Sequence, residues 1–247
     1  MPHSKIKVIH AVWDKRNLGV DCKEVIINNS NSISDIQKIK DILSTTEYVV
    51  VKIPVNCFEI SSYLSELGFI FVEGSINFEL KLNNAQLLPL QVRLNNSVKY
   101  EEMDESDLHK LYSEIEQGLF TTDRILIDNY FSKKQAAHRY INWISDEINK
   151  EAQVFKIVYK QEAIGFFTFK STNEGIYYPF LAGLFKKYRT SGMGFLTLRK
   201  PIDEAIRRNG KMISTYASIN NMPVIRAHTQ QGFSISNIQY VYIKHNK

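Results

Sequence analysis

The chain has 247 residues, 44% of them hydrophobic and 23% charged, with 31 Lys+Arg against 26 Asp+Glu for a formal charge of +5. That composition belongs to a folded globular protein and excludes disordered, collagen-like and disulfide-stapled chains. No stretch reaches the ~18 uncharged apolar residues of a membrane span, since the most apolar, Tyr48 to Val55, is short and broken by Lys52.

The opening Met-Pro-His-Ser-Lys leads into no apolar signal core, so a cytoplasmic location is expected. Cys22 and Cys57 fit no metal-ligand spacing and are expected as reduced thiols, with no metal bound. The positive excess fits nucleic acid, an anionic membrane or a phosphorylated small molecule, and its place along the chain has to decide.

Strands alternate with helices throughout, which predicts an α+β fold, an α/β mixed sheet. Ile6 to Val12 and Val25 to Ile27 read as strands. Ser34 to Leu43 carries Ile36, Ile39, Ile42 and Leu43 at helical spacing, with Ser34 as N-cap and Gln37 closing a capping box. Tyr48 to Pro54 is a buried strand; a helix from Phe58 to Leu67 ends at Gly68, followed by strands Phe69 to Val72 and Ile76 to Leu82. The pattern then loosens, and a domain boundary is placed near residues 90 to 97, dividing the chain into 1–93 and 94–247.

Past the boundary, an acidic patch with Asp104 as cap opens a helix from Glu105 to Gln117. A loop through Asp128, a helix Ser132 to Asn149, and strands Gln153 to Lys160, Ala163 to Ser171 and Ile176 to Leu184 come next. The remainder reads as a helix Gly192 to Asn209, in which Pro201 should produce a kink, a strand Met212 to Ala217, a helix Met222 to Gln231 and a strand Ile238 to Lys244. Val49 to Leu80 and Met212 to Ile243 share the order strand, Pro, helix, Gly-Phe, strand, which suggests two versions of one unit.

The stretch with chemistry in it is Arg189-x-x-Gly192-x-Gly194, between a strand and a helix. Unpaired N–H groups at a helix N-terminus bind phosphate oxygens, glycines at 192 and 194 let a pyrophosphate approach the backbone, and Arg189 can add a charge-assisted contact. A third glycine in phase and a Gly-Lys-Ser/Thr are both missing, which excludes the dinucleotide fingerprint and the P-loop. The alternative is that the glycines only end a strand and start a helix.

This strand–turn–helix resembles the acyl-CoA site of the GCN5-related N-acetyltransferase (GNAT) superfamily, and the likeness continues to Asn221, eleven residues before Gly232-Phe233. The resemblance implies a complete GNAT domain preceded by a partial GNAT-like unit, with acetyl-CoA or another acyl-CoA as cosubstrate. It implies that the backbone of Arg189, Thr190, Ser191, Gly192, Met193 and Gly194 holds the CoA pyrophosphate. Ala182, Gly183 and Leu184 would pair with the pantetheine arm as an added strand and help polarise the thioester, and Asn221 would contact the pantetheine or lie near the thioester.

The family's usual Tyr four residues before the Gly-Phe pair is His228 here. An imidazole of ordinary pKa, about 6.5, exchanges protons near neutrality, so His228 is a candidate acid/base on the same helix face as Asn221; a packed structural histidine is the alternative. Arg124 and Asp128 are candidate acceptor-binding residues, with a structural salt bridge as the competing account. Tyr178, alternating with Tyr177 and Phe180, is a candidate for lining the acceptor cleft, whereas His138 and Trp143 read as packing residues.

The first third of the chain, with His10-Ala-Val-Trp13-Asp14, Val51-Lys-Ile-Pro54 and Leu64-x-x-Leu67-Gly68-Phe69, resembles the front half of two-domain nucleotide-sugar N-acyltransferases such as the dTDP-fucosamine acetyltransferases. That likeness implies the amino group of a dTDP-linked amino-deoxy sugar as acceptor, acetyl or 3-hydroxybutanoyl as acyl group, a role in surface polysaccharide synthesis, and a homodimer. A protein N-terminus or an aminoglycoside as acceptor, or a non-catalytic acyl-CoA-binding module, are the competing accounts.

From Lys186 to Lys211, eight basic residues stand against Asp203 and Glu204, a local balance of +6, while the rest of the chain sums to −1. A charge centred on one loop suits a phosphorylated cosubstrate and not a nucleic-acid backbone or a membrane.

Overall fold

The computed structural model describes residues 6–85 and 87–246, and its architecture is one mixed sheet covered by helices. The first half supplies β1 (Lys7–His10), α1 (Val12–Leu18), β2 (Cys22–Ile26), α2 (Ile33–Gln37), α3 (Lys40–Thr45), β3 (Tyr48–Pro54), α4 (Phe58–Glu66), β4 (Ile70–Lys81) and α5 (Pro89–Asn96). The second half supplies β5 (Lys99–Glu102), α6 (Glu105–Glu116), α7 (Arg124–Ile127), α8 (Lys133–Ile148), β6 (Gln153–Tyr159), β7 (Glu162–Asn173), β8 (Ile176–Tyr178) and β9 (Ala182–Leu184). It closes with α9 (Leu196–Arg207), β10 (Met212–Ser218), α10 (Met222–Gln230) and β11 (Ser234–His245).

Strands lie in the order β1-β2-β3-β11-β4-β10-β8-β7-β6-β5, with β9 paired to β7 off this path. The two halves therefore interleave: β11 enters between β3 and β4, and β4 separates β11 from β10. The repeat seen in the sequence sits on this crossing, since β3-α4-β4 and β10-α10-β11 are the paired units. Their helices end alike. Gly68 and Gly232 adopt φ of +82° and +90°, and the N–H groups of Phe69 and Phe233 reach back to the carbonyls of Leu64 and His228, the Schellman closure that a left-handed glycine permits.

α8 spans both halves on one face. Its Ala136 packs with Tyr48, Val50 and Val241, while Tyr140 and Ile144 pack with Val154 and Phe166. On the other face α9 contributes Leu196, Ile202 and Ala205 to a core with Phe78, Phe167 and Ile213. No helix among the described residues is long and apolar enough to cross a membrane.

Several elements differ from the sequence expectation. The strand expected to Val12 stops at His10, because Asp14 and Leu18 turn inward at helical spacing and Gly19 closes α1 in the left-handed region. The cap of α2 is Ser32 with Asp35, not Ser34 with Gln37. Residues 89–96 form a helix begun by Pro89, and 99–102 a short edge strand. Pro201 lies inside a continuous α9, which begins at Leu196 and not at Gly192.

Candidate functional site

The strand expected over Ile176 to Leu184 is broken by Pro179 into β8 and β9. Proline has no N–H for the ladder, and two hydroxyls fix the bend it makes. Thr168 Oγ1 accepts the N–H groups of Phe180 and Leu181 at 3.1 and 2.8 Å, and Thr215 Oγ1 donates to the Pro179 carbonyl at 2.8 Å. Before the bend, β8 pairs in parallel with β10 through Ile176↔Met212 and Tyr177↔Ile213; after it, β9 pairs with β7 alone.

The Leu181 carbonyl and the Phe185 N–H are both spent on β7. By the alternation of an antiparallel ladder, the N–H and C=O of Ala182 and Leu184 point to the opposite, unpaired edge. Where β9 and β10 part, a cleft of about 840 Å³ opens; Leu181, Ala182, Ala217 and Ser218 line it, and it runs on to α1, α7 and α8.

β9 leads into the loop 185–195. Gly192 sits at φ +75°, and a Cβ built on Gly192 or Gly194 would meet nothing within 4 Å. The N–H groups of Arg189, Ser191 and Met193 bond within the loop, whereas those of Thr190, Gly192 and Gly194 have no hydrogen-bond partner among the described residues. Exposed N–H groups without partners, just ahead of a helix start, are donors open to an anion.

The Arg189 guanidinium, expected to face an anion, donates Nη2 to the carbonyls of Gly118 and Leu119 at 2.7 and 2.8 Å. The basic side chains around it are also largely engaged in ion pairs. Arg199 and Lys200 pair with Asp203, Arg207 and Arg208 with Glu204, and Lys187 with Glu162. The +6 balance already counts Asp203 and Glu204, so a net positive charge remains beside the loop, while the donors that stand open to an anion are the loop's backbone N–H groups.

His228 is 1% exposed, stacked on Phe78 at 4.4 Å and edge-on to Phe233 at 4.8 Å. Burial lowers its pKa to about 4, against a smaller opposing hydrogen bond to Val224. The ring is thus neutral at pH 7, and the proton exchange near neutrality expected of an unperturbed imidazole is absent. Its Nε2 is buried without a hydrogen-bond partner among the described residues, and the residue borders the cleft. Asn221 also borders the cleft but is the N-cap of α10, its side chain accepting the Val224 N–H at 3.4 Å.

Arg124 and Asp128 do not act together. Arg124, 7% exposed, donates to Asp14 at 2.5 Å and lines the cleft; Asp128 bonds His245 at 2.8 Å and does not line it. Asp14 also accepts Arg139 Nε at 2.6 Å, and Arg139 reaches Asp123 at 3.2 Å, so a buried network ties α1 of the first half to α7 and α8 of the second. Tyr178 lines the cleft, and burial raises its pKa so that its phenol stays protonated. Trp143 packs on Phe180 and borders the cleft as well; His138 is half-exposed beside Glu116.

Sequence reasoning missed Glu73. It lies on β4, the strand lent by the first half to the second, and its side chain enters the cleft near Ser218. Burial raises its pKa above the ordinary carboxylate value, with a weaker opposing hydrogen bond from Ser218. A carboxyl group of raised pKa in a cleft can take a proton from a bound ligand. The only signal was a charge directly after the apolar run Phe69 to Val72, ahead of Ile76 to Leu82.

No protein-family model matches the chain, and no curated protein matches it in sequence. Solved structures do match in shape. A conserved protein of unknown function from Staphylococcus epidermidis aligns at a TM-score of 0.63 and 11% identity, over 95% of this chain and 89% of that one. A GCN5-related N-acetyltransferase from Sphaerobacter thermophilus aligns at 0.60 and 10% identity, over 97% and 76%. A tandem GNAT protein of the clavulanic acid pathway aligns at 0.55 and 9% identity, over 92% and 76%. At such identities the likeness is one of architecture: this chain has the fold of the GCN5-related N-acetyltransferases.

Proposed function

We propose that the protein is an acyl-CoA-dependent N-acyltransferase whose reaction takes place in the cleft between β9 and β10. The observation that carries this is the unpaired edge of β9, which faces an open cleft and runs directly into the loop with unpaired N–H groups. An extended, amide-bearing pantetheine arm matches such an edge as an added strand, and a pyrophosphate matches the loop. Ala182, Gly183 and Leu184 hold the arm, the backbone of residues 189–194 holds the phosphates, and acetyl-CoA or a longer acyl-CoA supplies the thioester.

The free N–H of Ala182 is placed to donate to the thioester oxygen as charge develops there. As the amine nitrogen bonds the acyl carbon Glu73 takes its proton, and the C–S bond breaks to release CoA as a thiolate that solvent protonates. A raised pKa makes Glu73 a stronger base than an ordinary carboxylate, and its place on β4 puts it across the cleft from β9. Asn221 holds the start of α10, and His228 fills the space behind it as a neutral ring.

The acceptor we propose is the amine of a nucleotide-linked amino-deoxy sugar. Trp13 and Arg16, on one face of α1, stand at the rim, and Phe120, Tyr140 and Trp143 form an aromatic wall. Trp13 is 38% exposed and can stack on a base, while the exposed Arg16–Asp146 pair is of a kind worth ~0–1 kcal/mol and opens at little cost to a diphosphate. A specific observation favours a second account, an amine without a diphosphate: Arg16, Lys52, Arg124, Arg139 and Lys150, the Lys and Arg residues bordering the cleft, each have a carboxylate partner.

Thiol release from acetyl-CoA, followed with a panel of dTDP-amino sugars and of simple amines, separates the accounts. Release with the sugars supports the first, release with simple amines alone the second. CoA binding with no release by any amine overturns both and leaves a binding module.

A further inference from the structure

Arg189 heads the proposed cofactor loop, yet its side chain turns away from the loop's open N–H groups. Nη2 bonds the carbonyls of Gly118 and Leu119, just past the Gln117 C-cap of α6. A second tie runs alongside, from the Lys186 N–H to the Glu114 carboxylate at 3.0 Å. Leu119 is itself buried and lies against Gly183 of β9, where a Cβ would come within 3.7 Å of its side chain.

From the next residue on, the same segment becomes the proposed acceptor wall. Phe120 packs on Tyr140 at 4.2 Å, Thr122 borders the cleft, and Asp123 accepts from Arg139 and Tyr140. Between Gly118, at φ +86°, and the α7 cap at Asp123 no regular structure holds this segment, so its position depends on those ties.

We propose that Arg189 is a positioning residue that couples the two substrate sites, holding the acceptor wall 118–123 to the cofactor loop so that filling the loop orders the wall. The proposal rests on the assignment of loop 189–194 to acyl-CoA. A phosphate that fixes the backbone at Thr190, Gly192 and Gly194 fixes the root of Arg189, and the two carbonyls it holds move with it. By linkage, an acceptor that orders the wall tightens cofactor binding by the same factor. A lysine at 189 keeps the charge but presents a single ammonium in place of the planar fork.

Hydrogen exchange of the full-length protein with and without CoA, in the native chain and in Arg189→Lys and Arg189→Ala, tests this. In the native protein CoA is expected to slow exchange in 189–195 and in 118–123. Both variants are expected to bind CoA within about tenfold of the native affinity and to keep protection of 189–195, while losing that of 118–123. Retained protection of 118–123 in both variants overturns the coupling. Loss of CoA binding in Arg189→Ala with full retention in Arg189→Lys also overturns it, because Arg189 would then serve as a charge on the phosphates. If CoA fails to bind the native protein, the assignment of the loop itself fails.

Discussion

His228 donates its Nδ1 proton to the carbonyl oxygen of Val224, 2.7 Å away and one helical turn back. A carbonyl only accepts, so this contact fixes the neutral tautomer and leaves Nε2 as a lone pair, buried and without a partner among the described residues. Flanked by Phe78 and Phe233, the ring has no counter-charge to favour its protonation, which explains the depression of its pKa.

That depression makes acid stability the first measurable consequence. The folded pKa of about 4 lies below the ordinary 6.5, so the unfolded chain binds the proton more readily. Stability from this group is whole above pH 6.5 and is lost as pH falls toward 4, an effect of about 3 kcal/mol. His228→Phe, which keeps the ring stack, should flatten the decline in denaturant midpoint between pH 6.5 and 4. Parallel declines in the two proteins would show that His228 already titrates normally in the fold.

If Glu73 is the base proposed above, it sets the acid limb of the reaction. Its pKa is raised in the fold, and only its ionised form accepts a proton, so kcat/KM should rise with pH through a value above the ordinary 4.5. Glu73→Gln keeps the shape and should lower kcat by about 10²–10⁴-fold with acyl-CoA affinity unchanged. A Gln variant that keeps its rate and its acid limb would mean another group takes the proton.

What the sequence made legible was local. Gly68, Gly232 and the Arg189-x-x-Gly192-x-Gly194 turn carry their meaning in a few neighbouring residues, because left-handed φ and open backbone are short-range requirements. Asp104 and Ser132 likewise cap their helices as single polar residues ahead of apolar periodicity. Glu73 and Asp14 were not legible, since each acts on residues more than a hundred positions away across interleaved halves. The basic run 186–211 was legible as a charge but not as a set of contacts: Asp203 and Glu204 each pair with two cations because of their place on α9, so four of the eight basic side chains are engaged there while the net positive charge remains.

The two glycines of the proposed cofactor loop should respond differently to the same substitution. Gly192, at φ +75°, strains any side chain, and Gly192→Ala should cost about 1–2 kcal/mol. Gly194 has no positive φ and open space around its Cβ direction, so Gly194→Ala should leave the melting temperature unchanged. The added methyl would occupy that space, and CoA affinity measured by calorimetry should fall. Unchanged affinity would place the phosphates elsewhere.

Asp14 is the hinge of the buried network between the halves. It is 1% exposed and accepts from two guanidinium groups, which together hold its pKa down against the desolvation of its site. Asp14→Asn leaves Arg124 and Arg139 with a neutral partner, and removal of one member of a buried ion pair costs about 3–5 kcal/mol. Chemical denaturation should show that loss at pH 7, and the gap should narrow as acid protonates the native Asp14. A loss under 1 kcal/mol would mean that water reaches the network.

The rim of the cleft decides between the two acceptor accounts. Arg16 forks onto Asp146 at 3.1 and 2.7 Å, both side chains being partly exposed, so Arg16→Ala should cost little stability. If a nucleotide diphosphate takes over that fork, the variant raises KM for a dTDP-amino sugar by about 10-fold or more, the equivalent of a lost charge-assisted hydrogen bond of ~1.5–3 kcal/mol, and leaves kcat in place. Trp13→Ala should raise the same KM by removing the stacking face, and neither change should alter turnover of a simple amine at saturation. Equal effects on both acceptors would mean that α1 shapes the whole cleft and makes no contact with a nucleotide.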